Sequence, residues 1–251
     1  MTTIIDSFYN AIPEVQAPTP QNSSHRTHVS GSSTARAESP FFAFHPNLDS
    51  WTMYADKILQ NRRVSRFLSH NYLATWERCR DIVNEADVAD AAAVQLMNPV
   101  ELAFCAIHTT PIRSANNYSA SNRSRADKVW LRYGAVKGWE PFAVLDYKKI
   151  GTIKEDEVFK ACISPSEYHH AQGVNYSYSY QTQYVAFFDW DVLLLLYFGD
   201  RTEWSGGTWC CLTIIKDKSH MRKALLGFLE RAYKSYMSGE ASLKPIVPSF
   251  A

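Results

Sequence analysis

Large apolar residues return along this chain in two rhythms. In the first, Phe67, Leu68, Tyr72, Leu73 and Trp76 fall at near-helical spacing between Val64 and Arg80, and Trp51 to Leu59 repeats the pattern. Asp81 to Met97 continues as helix through Ile82, Val83, Val88, Ala92 and Leu96. Asn98-Pro99 predicts an interruption there, with Asn as a cap and Pro at the first position of a shorter helix over Val100 to His108. The second rhythm is that of strands. Val129 to Tyr133 and Phe142 to Tyr147 flank a turn containing Gly134 and Gly138 and read as a hairpin. Gln183 to Phe188 and Val192 to Phe198 are apolar on both faces, as in central strands covered by helices. Thr208 to Ile215 reads as a further strand. Met221 to Met237 reads as an amphipathic helix with Leu225, Leu226, Phe228, Leu229, Ala232 and Tyr233 toward the core.

Polar stretches set the remaining boundaries. From about Ala11 to about Pro40 the chain is rich in Ser, Thr, Pro, Asn, Gln and Ala and lacks the apolar surface to offset its ordering entropy. We therefore expect a disordered tail over 1–45 and one domain over 46–251 with a helical elaboration at its start. Ala115 to Arg125 reads as an exposed loop, and its surroundings hold Arg113, Arg123 and Arg125, a candidate basic patch. Arg62, Arg63 and Arg66 form a second basic cluster, read either as a solvated face or as a phosphate contact. Lys154 to Tyr180 is helical in outline and broken at Ser164-Pro165.

Composition narrows the class. The chain has 251 residues, 46% of them hydrophobic and 20% charged, which is enough to build a sizeable core. A formal net charge of +1 gives no global pull toward nucleic acid, so any such contact must be local. The five cysteines are odd in number and form no C-x-x-C pair, so neither a disulfide framework nor a zinc ribbon is indicated. An intracellular, reducing setting in cytoplasm or nucleus is the expectation. No signal peptide is visible, and the most apolar run, Tyr184 to Phe198, contains Asp189 and Asp191. We expect no membrane partner.

The candidate chemistry sits at the end of the second hairpin strand. Side chains of a strand alternate with period two, so Asp146 and Lys148 share a face with Phe142 and Val144, and Ala143, Leu145 and Tyr147 take the other. A carboxylate beside an ammonium can hold a divalent cation and steady a phosphate. Asp127 stands just before the first hairpin strand. His169, Gln172 and Tyr176 lie on one stripe of a helix. Asp189 and Asp191 are read as turn formers.

Taken in order, an acidic helix, Asp127, the run Asp146-Tyr147-Lys148, the pair Gln172-x-x-x-Tyr176 and an apolar strand resemble the PD-(D/E)XK nuclease-like superfamily. The likeness leans toward fungal nuclease-like domains and spans roughly residues 80 to 200. It implies an α/β fold in which a mixed central sheet is flanked by helices around a restriction-endonuclease-like αβββαβ core. It also implies Asp127 and Asp146 as ligands of Mg2+ or Mn2+, Lys148 as the catalytic amine, and Gln172 and Tyr176 as substrate-binding residues. The helical acid of the catalytic set is Glu85 by best fit, with Glu101 as the second choice. Ala126 stands where the motif has proline. The implied activity is metal-dependent cleavage of phosphodiester bonds in DNA, or in RNA. Two other readings remain: an inactive nuclease-like scaffold that binds protein or nucleic acid, and an adaptor whose helices over 51–108 and 221–237 dock a partner.

Overall fold

The computed structural model describes residues 2–15, 41–44, 48–74, 82–120, 124–134, 138–155, 168–198 and 209–237. Among the described residues, seven strands form one sheet: β1 (Phe41–Phe44), β2 (Ile112–Ser119), β3 (Arg125–Gly134), β4 (Gly138–Tyr147), β5 (Tyr184–Phe188), β6 (Leu193–Phe198) and β7 (Trp209–Ile215). Their spatial order is β1-β7-β6-β5-β4-β3-β2. β4 runs parallel to β5 and β1 parallel to β7; the other pairs are antiparallel. The fold is therefore mixed α/β.

Helices cover both faces. On one lie α1 (Ile4–Ser7), α2 (Leu48–Leu59), α3 (Arg62–Ser69), α4 (Glu85–Ala92), α5 (Asn98–Ile107) and α7 (Met221–Met237). They enclose a core with Trp130, Leu145, Tyr184, Ala186, Phe188 and Leu195 from the sheet. On the other lies α6 (Tyr168–Tyr180), whose Tyr176 and Tyr180 pack with Val129, Val144, Val185, Phe187, Leu194 and Leu196. β5 and β6 are buried on both sides, which is why neither shows an alternating pattern. α7 occupies the residues its periodicity predicts, and Leu225, Leu226, Phe228 and Leu229 are fully buried. Each such side chain contributes about 1.5–3 kcal/mol of burial.

Several expectations are corrected. Asn98-Pro99 does not interrupt the helix. A π turn over Ala93–Met97 joins α4 to α5, and the Asn98 N–H reaches back to the Ala93 carbonyl. Pro99 has no N–H to give the Gln95 carbonyl four residues earlier. Arg222 of α7 supplies the missing donor, its Nε lying 2.6 Å from that carbonyl. At the start of the same run, Asn84 caps α4 in a reciprocal box with Asp87, so the helix begins at Glu85 and not at Asp81. α3 ends at Ser69, and the predicted continuation over 75–80 lies outside the described residues.

Ala115 to Arg125 is not one loop: through Ser119 it belongs to β2, an edge strand whose side chains are mostly exposed. Polar composition at an edge mimics a loop, because half or more of the side chains meet water. Asp127 lies within β3, not before it. Phe142 does not share a face with Val144. The β3–β4 register steps from Trp130 opposite Ala143 to Leu131 opposite Pro141, leaving Phe142 as the extra residue of a bulge. Phe142 thereby joins Ala143 on the α5/α7 side, near Phe104 and Tyr233. Pro141, with no N–H, suits that break in the ladder.

The tail expected over 1–45 is also cut short. Ile4, Phe8 and Ile12 are wholly buried, and β1 is a strand of the sheet. Residues 16–40, which carry most of that expectation, lie outside the described residues, as does the Ser164-Pro165 break. Among the described residues, no helix is long and apolar enough to cross a membrane.

Candidate metal centre

Two neighbouring strands bring two acids together. Lys128 pairs with Leu145 and Val129 with Val144, so one register step further sets Asp127 opposite Asp146. Directly opposed residues of an antiparallel pair project from the same face. Asp127 Oδ2 accepts the backbone N–H of Tyr147 at 2.8 Å, which turns its carboxylate toward β4. The third acid comes from α4. Glu85 is the first residue after the Asn84 cap, where the helix dipole favours negative charge. Glu85, Asp127 and Asp146 each offer a carboxylate oxygen within 4.8 Å of the others. Asp146 is buried, Asp127 half-buried and Glu85 exposed. Glu101, the alternative helical acid, is engaged elsewhere. It accepts from Trp130 Nε1 at 3.0 Å and pairs with Lys128 at 2.9 Å.

Lys148 lies immediately beyond β4, tied to β5 by its backbone N–H to the Phe188 carbonyl at 2.9 Å. Its ammonium forms an ion pair with Asp146 Oδ2 and lies 4.0 Å from Glu85 Oε1, above the Phe187 ring. α6 braces the same carboxylate from its other side. Gln172 Nε2 donates to Asp146 Oδ2 at 3.1 Å and to the Tyr176 hydroxyl at 2.8 Å. The Tyr176 hydroxyl lies 3.0 Å from Asp146 Oδ1 and 2.9 Å from the Arg125 carbonyl, and its single proton serves one of them at a time. The buried Gln172 Oε1 has no hydrogen-bond partner among the described residues.

The electrostatics follow from crowding. Burial raises the Asp127 carboxyl to about 7, with the Asp146 charge adding to the effect and the Tyr147 N–H opposing it. Glu85, although its side chain is exposed on one side, is also raised by partial desolvation against the site, opposed by Lys148 and helped by Asp146. Burial and the neighbouring Asp146 raise Tyr176, so at neutral pH it is a neutral phenol. Three clustered carboxylates strain against one another and are relieved by a small, hard cation, for which oxygen donors are the matching ligands. The donor set therefore fits Mg2+ or Mn2+.

The structure brings together six residues singled out by sequence: Glu85, Asp127, Asp146, Lys148, Gln172 and Tyr176. It does not assemble the others there. Asp189 is a turn former, as read: it accepts N–H groups from Ile153, Asp191 and Val192. Arg113 stacks over Trp139, 4.3 Å from the ring centre. Arg123 and the His169 side chain lie outside what is described. Sequence reasoning missed the Tyr147 amide and the Phe187 ring. A backbone group leaves no local signature, and the β4–β5 pairing that positions Phe187 joins distant segments.

The chain matches no family model, no curated protein and no solved structure.

Proposed function

We propose that the chain is a divalent-metal-dependent nuclease of the PD-(D/E)XK type, cleaving phosphodiester bonds in nucleic acid. The observation that carries this is the convergence of Glu85, Asp127 and Asp146 within 4.8 Å, with the Lys148 ammonium on Asp146. Element order supports it: β2, β3 and β4 form an antiparallel meander, α6 follows, and β5 returns parallel to β4.

Glu85, Asp127 and Asp146 would hold Mg2+ or Mn2+. Such an ion supplies Lewis acidity toward a phosphoryl oxygen and makes its bound water more acidic. The remaining chemistry belongs to the chain. Lys148 presents a fixed positive charge where a phosphate in transition gains negative charge. Gln172 donates to Asp146 Oδ2, and the Tyr176 hydroxyl, shared with the Arg125 carbonyl, lies against Oδ1, so the carboxylate is restrained beside its neighbours. Tyr147 does the same for Asp127 through its backbone.

The test is cleavage of labelled single-stranded and duplex DNA and RNA with Mg2+ or Mn2+, using the parent protein and Asp146→Asn. Metal-dependent cutting by the parent, reduced about a hundredfold or more in the variant, is the expected result. No cutting by the parent on any substrate, or equal cutting by both proteins, overturns it. No cutting by the parent would leave the inactive, binding scaffold as the standing alternative.

A further inference from the structure

The helix α3 carries an unusual concentration of positive charge. Between Asp56 and Glu77 the chain has Lys57, Arg62, Arg63, Arg66 and His70 and no acid. Asp56 is itself occupied by Lys223 at 3.0 Å. Arg62, Arg63 and Arg66 are exposed and make no ion pair among the described residues. In a chain whose net charge is only +1, that is a local field and not a general property. Local structure works against it. Arg62 and Arg66 are four residues apart and Arg63 and Arg66 three, so like charges face one another across one turn. Arg62 and Arg63 also sit at the positively polarised end of the helix.

The three arginines line an open cavity of about 710 Å³ together with Phe67, His70 and Asn71. Phe67 is 43% exposed within that lining, and Tyr72, just beyond it, is 57% exposed. The frame beneath is ordered. Val64 and Leu68 are buried, Asn61 Oδ1 caps the N–H groups of Arg63 and Val64, and Asn71 Nδ2 donates to the Phe67 carbonyl at 2.7 Å. Because the amides are already capped, an anion arriving here meets guanidinium groups.

We propose that α3 and the turn after it form a binding surface for single-stranded nucleic acid, with Arg62, Arg63 and Arg66 on phosphates and Phe67 stacked on a base. Repeated guanidinium groups beside an exposed ring match a backbone that alternates phosphate with a flat aromatic face. An anionic membrane fits less well, since Phe67 is the only large apolar side chain α3 exposes and an interfacial helix needs a broad apolar face. An acidic peptide would use the arginines and leave the exposed ring without a role. The surface does not depend on the carboxylate cluster, so it stands whether or not the chain cleaves anything.

The experiment measures fluorescence anisotropy of a fluorescein-labelled oligothymidine of about 20 nucleotides on the full chain, in EDTA so that no cutting intervenes. The expected result is binding by the parent with EDTA present. The triple variant Arg62→Glu, Arg63→Glu, Arg66→Glu should bind about tenfold or more weakly. Its salt dependence should be shallower by about two, from three phosphate contacts at about 0.7 each. Phe67→Ala should lose about fivefold with its salt dependence unchanged, the mark of stacking as opposed to charge. The proposal is overturned if the parent does not bind, or if the triple variant binds like the parent while keeping its circular dichroism. Tighter binding of the parent to phosphatidylserine vesicles or to polyglutamate than to the oligonucleotide overturns it as well.

Discussion

Asp127 accepts the backbone N–H of Tyr147 at 2.8 Å, at the point where the paired rungs of β3 and β4 run out at Lys128 and Leu145. One bond thus closes the end of the hairpin and holds a second carboxylate against Asp146. Without a cation this arrangement opposes folding, because burial and a like charge both disfavour ionised Asp127.

The sign of the resulting pH dependence is fixed. The Asp127 carboxyl rises from 3.8 in the unfolded chain to about 7 in the fold. Between those values the folded state holds a proton that the unfolded state has lost, so stability falls as pH rises from about 4 to about 7. Asp127→Asn keeps an oxygen for the Tyr147 amide and removes the titration. It should raise metal-free stability by on the order of 1–2 kcal/mol at pH 8 and change it little at pH 4, read by urea unfolding at both pH values. Mg2+ should raise the melting temperature of the parent and not of the variant. Equal stability changes at both pH values would refute the assignment.

Tyr176 and Asp146 should be energetically coupled. Tyr176→Phe removes a donor shared between Asp146 Oδ1 and the Arg125 carbonyl and should cost about 1–2 kcal/mol. In the background of Asp146→Asn the same change should cost less, with a coupling of about 0.5 kcal/mol or more in a double-mutant cycle. Additive losses would mean that the hydroxyl serves only the Arg125 carbonyl.

Gly227 permits the close approach of α2 and α7. A Cβ placed there would lie 1.8 Å from the Trp51 carbonyl oxygen, a backbone atom that cannot step aside. Gly227→Ala should therefore cost about 3 kcal/mol or more, although Ala is the better helix former. Denaturant unfolding measures it, and a neutral or stabilised variant would show that the two helices can part at little cost.

Arg222 is the other long-range tie. It is buried, its guanidinium is pushed down to about 10 by burial, and it donates to the carbonyls of Gln95, Ser7 and Asn10. Arg222→Met fills the same space and removes the guanidinium donor from all three carbonyls, of which Ser7 keeps the Asn10 N–H at 3.3 Å, so a loss of about 3 kcal/mol is expected. Limited proteolysis should cut residues 2–15 in the variant under conditions in which the parent resists. Uniform protection of that segment in both proteins would show that the clamp is dispensable.

Much of this architecture was legible in the sequence, for local reasons. Hairpin strands, apolar central strands and α7 announce themselves through periodicity, and Asp146 and Lys148 share a face because alternation fixes it. The misreadings came from contacts that periodicity cannot carry. Phe142 changed sides because a bulge shifts the count by one. Pro99 read as a stop because its substitute donor lies 123 residues further on, at Arg222. β2 read as a loop because its pairing partner supplies the order that its polar side chains do not. Among the site residues, Glu85 is the first choice for the helical acid and Glu101 the second, and packing separates them by sending Glu101 to Lys128 and Trp130.

The seam between residues 2–15 and the start of α7 also bears on biosynthesis. Ile12 N–H bonds the Lys218 carbonyl, Lys218 pairs with Glu14, and Trp190 Nε1 donates to the Pro13 carbonyl. As the chain leaves the ribosome, residues 2–15 therefore wait for partners that lie at Trp190, Lys218 and Arg222. Ile4, Phe8 and Ile12 stay without their final shelter until those later residues have emerged, and the domain closes as a unit only after Arg222 has been delivered.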